Sequence, residues 1–193
     1  MPRNMSFQLT TQQILDETKF VTRRLGWRNL KPGELVNAVE KCQGLKKGEK
    51  VNHLKALCAL GVRFEPLNVI DKDDCILEGF PHLEPAEFVE MFCQHNRCEP
   101  DTEITRIEFG YVKPSDSHWE VIRFRGFEIS LEPWGNGFFN AHLYDWNHRW
   151  RGHDFGLIAN YLTRAEAVTD ALCTLKSILA NPADYYNEKE ETA

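Results

Sequence analysis

Four side chains near the N-terminus place basic groups and a hydroxyl within six residues; they are Lys19, Thr22, Arg23 and Arg24. A threonine hydroxyl is a poor nucleophile unaided, but a lysine whose pKa is lowered by neighbouring arginines can deprotonate it. Residues three apart point to one side of a helical turn and to opposite faces of a regular strand. A turn between a helix and a strand would therefore bring the Lys19 ammonium and the Thr22 hydroxyl together. The alternative, which the residues alone favour, is a basic loop without a catalytic role.

The segments that follow this stretch predict the sheet that holds it. Lys31-Pro-Gly-Glu34 is typical of a turn. Three segments rich in apolar and β-branched residues predict strands: 35–39, 57–64 and 102–112. Strands separated by short helices, without a repeating βαβ unit, predict a small barrel rather than a doubly wound sheet.

Three short helices are predicted from their capping residues. Thr10 or Thr11 can cap a helix directly before Lys19. Asp71 is expected to cap a helix that runs to Glu78 and stops at the following glycine. Pro85 suits the first turn of the next helix, whose apolar stripe contains phenylalanine and methionine.

A second unit is predicted after the linker that begins at Pro114. Segments 121–124, 127–131 and 138–146 have the composition of strands, and Gly135-Asn-Gly is typical of a hairpin turn. Thr163 and Glu166 form a capping box that opens a strong helix. Its expected apolar face consists of Ala167, Val168, Ala171, Leu172, Leu175 and Leu179. Residues 118–182 are therefore predicted to form a small α+β domain, a β-rich unit closed by one helix, and residues 183–193 an acidic disordered tail.

Composition limits the class of protein. The chain of 193 residues contains no apolar run near the roughly 20 residues that a membrane span requires, and its start lacks the apolar core of a signal peptide. A cytoplasmic protein without a membrane partner is expected, with its six irregularly spaced cysteines as reduced thiols. The net charge is −6, yet residues 1–55 alone carry +6. Phosphates would be attracted to that part of the chain, although a solvated lysine-rich face is the simpler interpretation.

Several separated motifs together resemble one known family. They are Thr18-Lys-x-x-Thr22-x-Arg24, the Lys31-Pro-Gly-Glu turn, Leu77-Glu-Gly-Phe80 and Thr105-Arg-Ile-Glu-Phe109. In this order they resemble the ASCH family of the PUA-like superfamily over residues 6–113, most closely the longer ASCH proteins of phages and prophages. Thr18 stands where the family usually has glycine, and the bulky Phe20 is a second departure.

The resemblance implies a fold and a function. It implies a small PUA-like β-barrel with flanking helices over residues 6–113, whose cleft binds RNA or a modified nucleoside. Some ASCH members are amidohydrolases that deacetylate N4-acetylcytidine with a lysine, a threonine and a glutamate. By position these catalytic residues are Lys19, Thr22 and Glu78. Arg23, Arg24 and Trp27 are the expected substrate-binding residues.

Two alternatives remain open for the function. Other ASCH proteins resemble metal-dependent ribonucleases on single-stranded RNA, which would require a divalent cation; otherwise no cofactor is expected. The second alternative is a phage-type interaction module without catalysis, in which the C-terminal domain binds a protein partner. Lys19 and Glu78 would then form an ion pair across the cleft while Thr22 caps a turn.

Two further groups of residues are weak candidates for binding. Cys93, His95 and Cys98 lie close in sequence, as do His148, His153 and Asp154, but neither group has the ligand spacing of a metal site. The C-terminal unit is also rich in aromatic residues. These can stack on bases, but filling a small core is the more ordinary role for them; they are Trp134, Phe138, Phe139, Tyr144, Trp146 and Trp150.

Overall fold

One large mixed sheet runs through the computed structural model, which describes residues 1–113, 120–134, 138–145, 153–154 and 161–181. The nine described strands are β1 (Arg3–Ser6), β2 (Val21–Arg24), β3 (Leu35–Val39), β4 (His53–Pro66), β5 (Glu103–Lys113), β6 (Glu120–Phe124), β7 (Phe127–Trp134), β8 (Phe138–Asp145) and β9 (His153–Asp154). The α-helices of the same residues are α1 (Thr11–Leu15), α2 (Lys72–Leu77), α3 (Pro85–Asn96) and α4 (Arg164–Ala180). The fold is therefore mixed α+β. No helix in the described ranges is both long and apolar enough to cross a bilayer.

The sheet is open, whereas a closed barrel was predicted. Its order is β1-β3-β4-β5-β6-β7-β8-β9, with β2 attached to β5 beside this path. β1 pairs in parallel with β3, and the other neighbouring strands are antiparallel. Among the described residues, β1 at one edge of the sheet and β9 at the other do not pair with each other. Strands β6 to β9 extend the sheet, so its two edges do not meet.

β5 is the strand around which the others are arranged. One of its edges pairs with β4. The other edge is shared by two strands, since β2 pairs with residues 105–108 and β6 with residues 111–113. The sheet therefore continues from the part with the predicted ASCH motifs into the C-terminal part. The division into domains 6–113 and 118–182 stays a prediction.

The predicted helix boundaries are set by local residues. The Asp71 side chain accepts a hydrogen bond from the Asp74 N–H and opens α2, and Gly79 follows the helix with a φ of +86°. Pro85 occupies the first turn of α3. Thr163 and Glu166 form the expected capping box of α4. The six-residue α2 thus places Glu78 at a fixed point directly after its last turn.

The apolar face of α4 differs in one position from the predicted one. Ile178 is buried, while Leu179 is 40% exposed. Both positions are compatible with a stripe that passes through Leu175, because a helix of 3.6 residues per turn returns to its face after three or four residues. Packing against β7 and β8 selects Ile178.

Three apolar clusters hold these elements. The first joins α4 to β4, β6, β7 and β8. The second lies under β1, α1, β3 and β5 and contains Phe7, Phe109 and Tyr111. The third joins α2 to α3 through Cys75, Phe88 and Phe92. Between the second and third clusters, α1, β2 and α2 come together.

Gly110 permits the close approach of β5 and β6. A Cβ atom at this position would lie 2.5 Å from Ile122 Cγ2 and 2.8 Å from the Arg123 carbonyl oxygen. Gly110→Ala is therefore expected to lower the free energy of unfolding by about 1–3 kcal/mol in a urea titration, the range of overpacked sites. Gly61→Ala is the comparison and should lose less, since the three atoms nearest to its Cβ would all belong to side chains, the closest being Glu108 Oε2 at 2.8 Å. Equal losses in the two variants would contradict this account.

Candidate active site

A cleft of about 430 Å³ opens between the N-terminal segment, β2 and α3. This volume lies in the range of small-molecule sites. All six side chains predicted for the site line it, namely Lys19, Thr22, Arg23, Arg24, Trp27 and Glu78. The structure thus brings them together, and their catalytic and binding roles remain predictions.

Lys19 and Glu78 form a buried ion pair on this cleft. The Lys19 Nζ atom lies 2.6 Å from Glu78 Oε2 and also donates a hydrogen bond to the Glu78 backbone carbonyl. Only 3% of the Lys19 side chain and 4% of the Glu78 side chain are exposed. Because both groups are removed from water, each depends on the other for compensation of its charge.

Phe20 explains how the segment before β2 is fixed against α2. Its N–H donates a hydrogen bond of 2.9 Å to the Leu77 carbonyl, the last residue of α2. Its ring packs edge-on against Tyr111 and Phe124, with centroids 5.7 and 5.4 Å away. The bulky residue that departs from the ASCH pattern is thus a packing residue, and it directs the preceding Lys19 towards Glu78.

The pKa of Lys19 is lowered from its ordinary value. Burial is the largest cause, because it disfavours the charged amine. The Glu78 carboxylate opposes this effect, while the positive charges of Arg24 and Arg23 add to it. The neutral form of the Lys19 amine is therefore more populated here than it would be for a lysine in water.

Thr22 and Arg24 share one face of β2, as alternate residues of a strand do. Arg24 Nε donates to Thr22 Oγ1 at 3.1 Å, and Arg24 Nη2 donates to the Ser6 carbonyl at 2.5 Å. The Arg24 guanidinium also lies over the Phe7 ring, 4.8 Å from its centroid. Within the described part of the chain no hydrogen bond joins Lys19 to Thr22. The ammonium is held by Glu78 and the hydroxyl by Arg24, on a common cleft.

Arg23 takes part in an ionic network beneath the cleft. Its guanidinium pairs with Asp74, lies 2.8 Å from Glu65 Oε1 and 3.4 Å from Glu78 Oε1. Arg106 binds the same Asp74 at 2.6 Å. Arg23 was predicted to bind substrate, but its Nη groups are engaged by these carboxylates. Its contact with Glu78 makes it a support for that side chain.

The network continues across the sheet to the C-terminal helix. Arg106 Nη1 lies 2.8 Å from Glu108 Oε1, and Lys176 of α4 lies 2.7 Å from Glu108 Oε2. The two arginines hold the pKa of Asp74 at about 2, although burial opposes this shift. The sequence analysis assigned no role to these residues, although Arg106 and Glu108 belong to the motif Thr105-Arg-Ile-Glu-Phe109. The available signal was the pair Arg106 and Glu108, spaced two apart in an otherwise apolar strand.

The opposite wall of the cleft is formed mostly by α3. It contributes Phe88, Met91, Phe92, His95 and Asn96. The apolar stripe of this helix was predicted from the sequence, and α3 buries two of its residues, Phe88 and Phe92, in the third cluster. The same helix thus closes the cleft with aromatic and polar groups.

Trp27 and Phe80 add two further aromatic rings to the lining. Trp27 follows β2 with a φ of +58°, and the Arg3 guanidinium lies over its ring at 4.6 Å from the centroid. The Lys19 Nζ atom lies 5.9 Å from the Phe80 ring centroid. Flat rings near the ion pair suit a planar ligand.

Of the two candidate metal groups of the sequence, only Cys93, His95 and Cys98 lie among the residues that the structure describes. No group of three or more His, Cys, Asp and Glu side chains suited to a metal occurs among the described residues. Cys93 and Cys98 approach each other, with their Sγ atoms 4.0 Å apart. His148 and the side chains of His153 and Asp154 lie outside the described residues, as do Trp146, Trp150 and the Trp134 side chain. Phe139 packs against the first apolar cluster. This is the core-filling role that the sequence analysis gives as the more ordinary one for the C-terminal aromatic residues.

Comparison with known proteins gives little further information. No protein-family model and no curated protein matches the chain significantly. Among solved structures, the crystal structure of protein EF3133 from Enterococcus faecalis V583, described with the family model DUF984, is similar to 61% of this chain. The match covers 84% of that chain with 16% sequence identity and a TM-score of 0.44. A likeness at this level carries no argument about the site.

Proposed function

We propose that the cleft binds a modified pyrimidine nucleoside and hydrolyses an N-acyl amide on its base, as in N4-acetylcytidine. The observation that carries the proposal is Thr22, which lies in β2 on the cleft with its hydroxyl held by Arg24 instead of capping a turn. The buried Lys19–Glu78 pair beside it is compatible with both the catalytic and the non-catalytic function. The resemblance of the motifs to the ASCH family supports the proposal, and membership of that family is part of it.

The ion pair offers a base and an acid at once. If its shared proton resides on Glu78, Lys19 is a neutral amine that accepts the Thr22 hydroxyl proton as the oxygen attacks the acyl carbonyl. Glu78 then protonates the departing base nitrogen, and the acyl group remains on Thr22 as an ester. Water then attacks this ester and gives one proton to the carboxylate of Glu78, while the Lys19 ammonium returns its proton to Thr22 Oγ1 as the carboxylic acid leaves. The lowered pKa of Lys19 favours the neutral amine that the first step needs.

Positioning of the nucleophile falls to Arg24. Its Nε hydrogen bond occupies one lone pair of Thr22 Oγ1 and leaves the hydroxyl proton available for transfer. Phe80 lies near Lys19 and supplies a flat apolar surface for the base. A substrate base stacked there would hold its exocyclic amide within the same cleft as the three catalytic groups.

The direct test is an incubation of the purified protein with N4-acetylcytidine, followed by chromatography of the nucleosides. Release of cytidine in proportion to enzyme concentration is expected. Tight binding of acetylcytidine without release of cytidine would contradict the enzymatic proposal and leave a binding cleft. A parallel incubation with single-stranded RNA, with and without manganese, tests the ribonuclease alternative.

A further inference from the structure

Arg24 differs from the other buried or half-buried cations of the described chain. The others each have a carboxylate oxygen within 4.0 Å; they are Lys19, Arg23, Lys41, Lys55, Lys72, Arg106, Lys113 and Arg164. The described residues offer no such partner to the half-buried Arg24. A guanidinium stays charged at any physiological pH, and burial without a direct ion pair is unfavourable even though the charge of Glu78 acts on Arg24 from a longer distance.

The hydrogen bonds of Arg24 leave one edge of its guanidinium unused. Nε is bound by Thr22 and Nη2 by the Ser6 carbonyl, while the Phe7 ring covers one face of the group. Nη1 has no acceptor among the described residues, and it is not one of their fully buried unpaired nitrogens. The side chain is therefore held rigidly with an accessible donor on the cleft.

The remaining charges of the lining reinforce this effect. Its charged side chains are Lys19, Arg23, Arg24 and Lys41 against the single carboxylate of Glu78. Glu78 is already bound by Lys19 and Arg23, and Arg23 is further neutralised beneath the cleft by Asp74 and Glu65. The positive charge left over for a ligand thus comes mainly from Arg24, with Lys41 as a second contributor.

We propose that Arg24 forms an anion subsite and that the ligand of this cleft carries a phosphate, so that the substrate is a nucleotide rather than a free nucleoside. This inference rests on the proposed function for the nucleoside part, but the subsite itself depends only on Arg24 and its surroundings. A phosphate oxygen accepts from guanidinium N–H groups in charge-assisted hydrogen bonds. It would supply a close counter-charge in addition to the more distant carboxylate of Glu78, which already acts on Arg24.

The test compares cytidine, cytidine 5′-monophosphate and inorganic phosphate by titration calorimetry. With the wild type we expect the monophosphate to bind at least about 10-fold more tightly than cytidine, the effect of one charged hydrogen bond. Arg24→Met should bring the two affinities to about the same value and abolish competition by inorganic phosphate. Arg24→Lys keeps the charge but not the fork, so it should retain part of the preference. If Arg24→Met fails to fold, the Arg24→Lys comparison still decides, since an unchanged preference contradicts a fork-dependent subsite.

Arg28→Met is the matched control, because Arg28 is exposed, lies outside the cleft lining and contacts Phe64 and Glu103. It should keep the full preference for the monophosphate. Equal affinities of the wild type for cytidine and its monophosphate, or a preference that survives Arg24→Met, would overturn the subsite. A loss in kcat of the Arg24 variants without any change in phosphate preference would assign Arg24 to the oxyanion instead and would also overturn it.

A short oligocytidylate distinguishes the two sources of phosphate. If Arg24-dependent binding is stronger for the oligonucleotide and falls with salt, the phosphate belongs to RNA; if it is stronger for the monophosphate, the ligand is a free nucleotide. Either result supports the subsite. The outcome is separable from that of the proposed function. A preference for phosphate without hydrolysis would support the subsite and contradict the proposed activity. Hydrolysis of acetylcytidine without such a preference would support the activity and contradict the subsite.

Discussion

Replacement of Thr22 by alanine is expected to lower kcat for release of cytidine from N4-acetylcytidine by at least about 1,000-fold, because loss of a nucleophile removes the covalent route. Affinity for the product cytidine should change by no more than about 10-fold, since one neutral hydrogen bond at most is lost. Thr22→Ser keeps a hydroxyl and should recover a measurable part of the rate. Kinetics of cytidine release and calorimetry with cytidine separate the two effects.

Lys19 and Thr22 should act as one unit in this reaction. Lys19→Met removes the base and keeps a chain of similar length in the buried space, while Glu78 retains its contact with Arg23. We expect a loss comparable to that of Thr22→Ala, and a double variant little worse than either single one. The matched control is Thr18→Ala, whose exposed hydroxyl donates one hydrogen bond among the described residues, to the Gln13 carbonyl at 3.4 Å. Additive losses in the double variant would contradict a shared proton transfer.

Asp74→Ala is expected to cost about 3–5 kcal/mol of the free energy of unfolding, because it leaves the Arg23 and Arg106 guanidinium groups buried without their common carboxylate. Urea titration at neutral pH measures this effect. Asp73→Ala is the matched control, since Asp73 lies in the same turn of α2 with an exposed side chain. A loss of similar size in both variants would mean that the helix N-terminus, and not the ionic network, is responsible.

The same carboxylate predicts acid sensitivity. Its pKa falls from an ordinary 3.8 to about 2 on folding, so its contribution is complete above pH 3.8 and is lost as the pH falls towards 2. Unfolding free energies of the wild type should therefore decrease over this window more steeply than those of Asp74→Ala. Parallel curves for the two proteins would exclude Asp74 as a source of the acid dependence.

Helices α2, α3 and α4 could be predicted because their first residues are determined by neighbouring residues, whereas Thr10 precedes α1 without a side-chain capping hydrogen bond. Asp71, Pro85 and the Thr163–Glu166 box each act within one turn, and the helices begin where these residues place them. The strands were less accessible. β4 begins at His53 and not at Leu57. Its first four residues are exposed or half-buried, and their alternation of polar and apolar residues is too short to predict a strand. Four-residue strands such as β1 take their structure from distant partners.

The candidate site could likewise be predicted only in part, because some of its contacts depend on residues far apart in the sequence. The sequence predicted six of the residues that line the cleft, but it did not predict the partners of Arg23. Asp74 lies 51 positions further along the chain, and charged side chains are rarely buried unless they are paired. β2 contains two consecutive arginines, Arg23 and Arg24, and a sequence with two adjacent charges does not predict a buried strand. The strand is buried because carboxylates on other elements compensate Arg23.

The position of β2 on the edge of β5 also determines when the cleft can form. Thr22 is paired with Ile107, 85 residues later, and no other described strand pairs with β2. Closing a loop of this length costs conformational entropy before the stabilising contacts between β2 and β5 can form. This order of events slows folding. During synthesis, Lys19 and Thr22 emerge early, yet the strand on which they depend is completed only when β5 has left the ribosome. The cleft is therefore expected to assemble late and in one step with the centre of the sheet, so that a nascent chain shorter than β5 has no binding site.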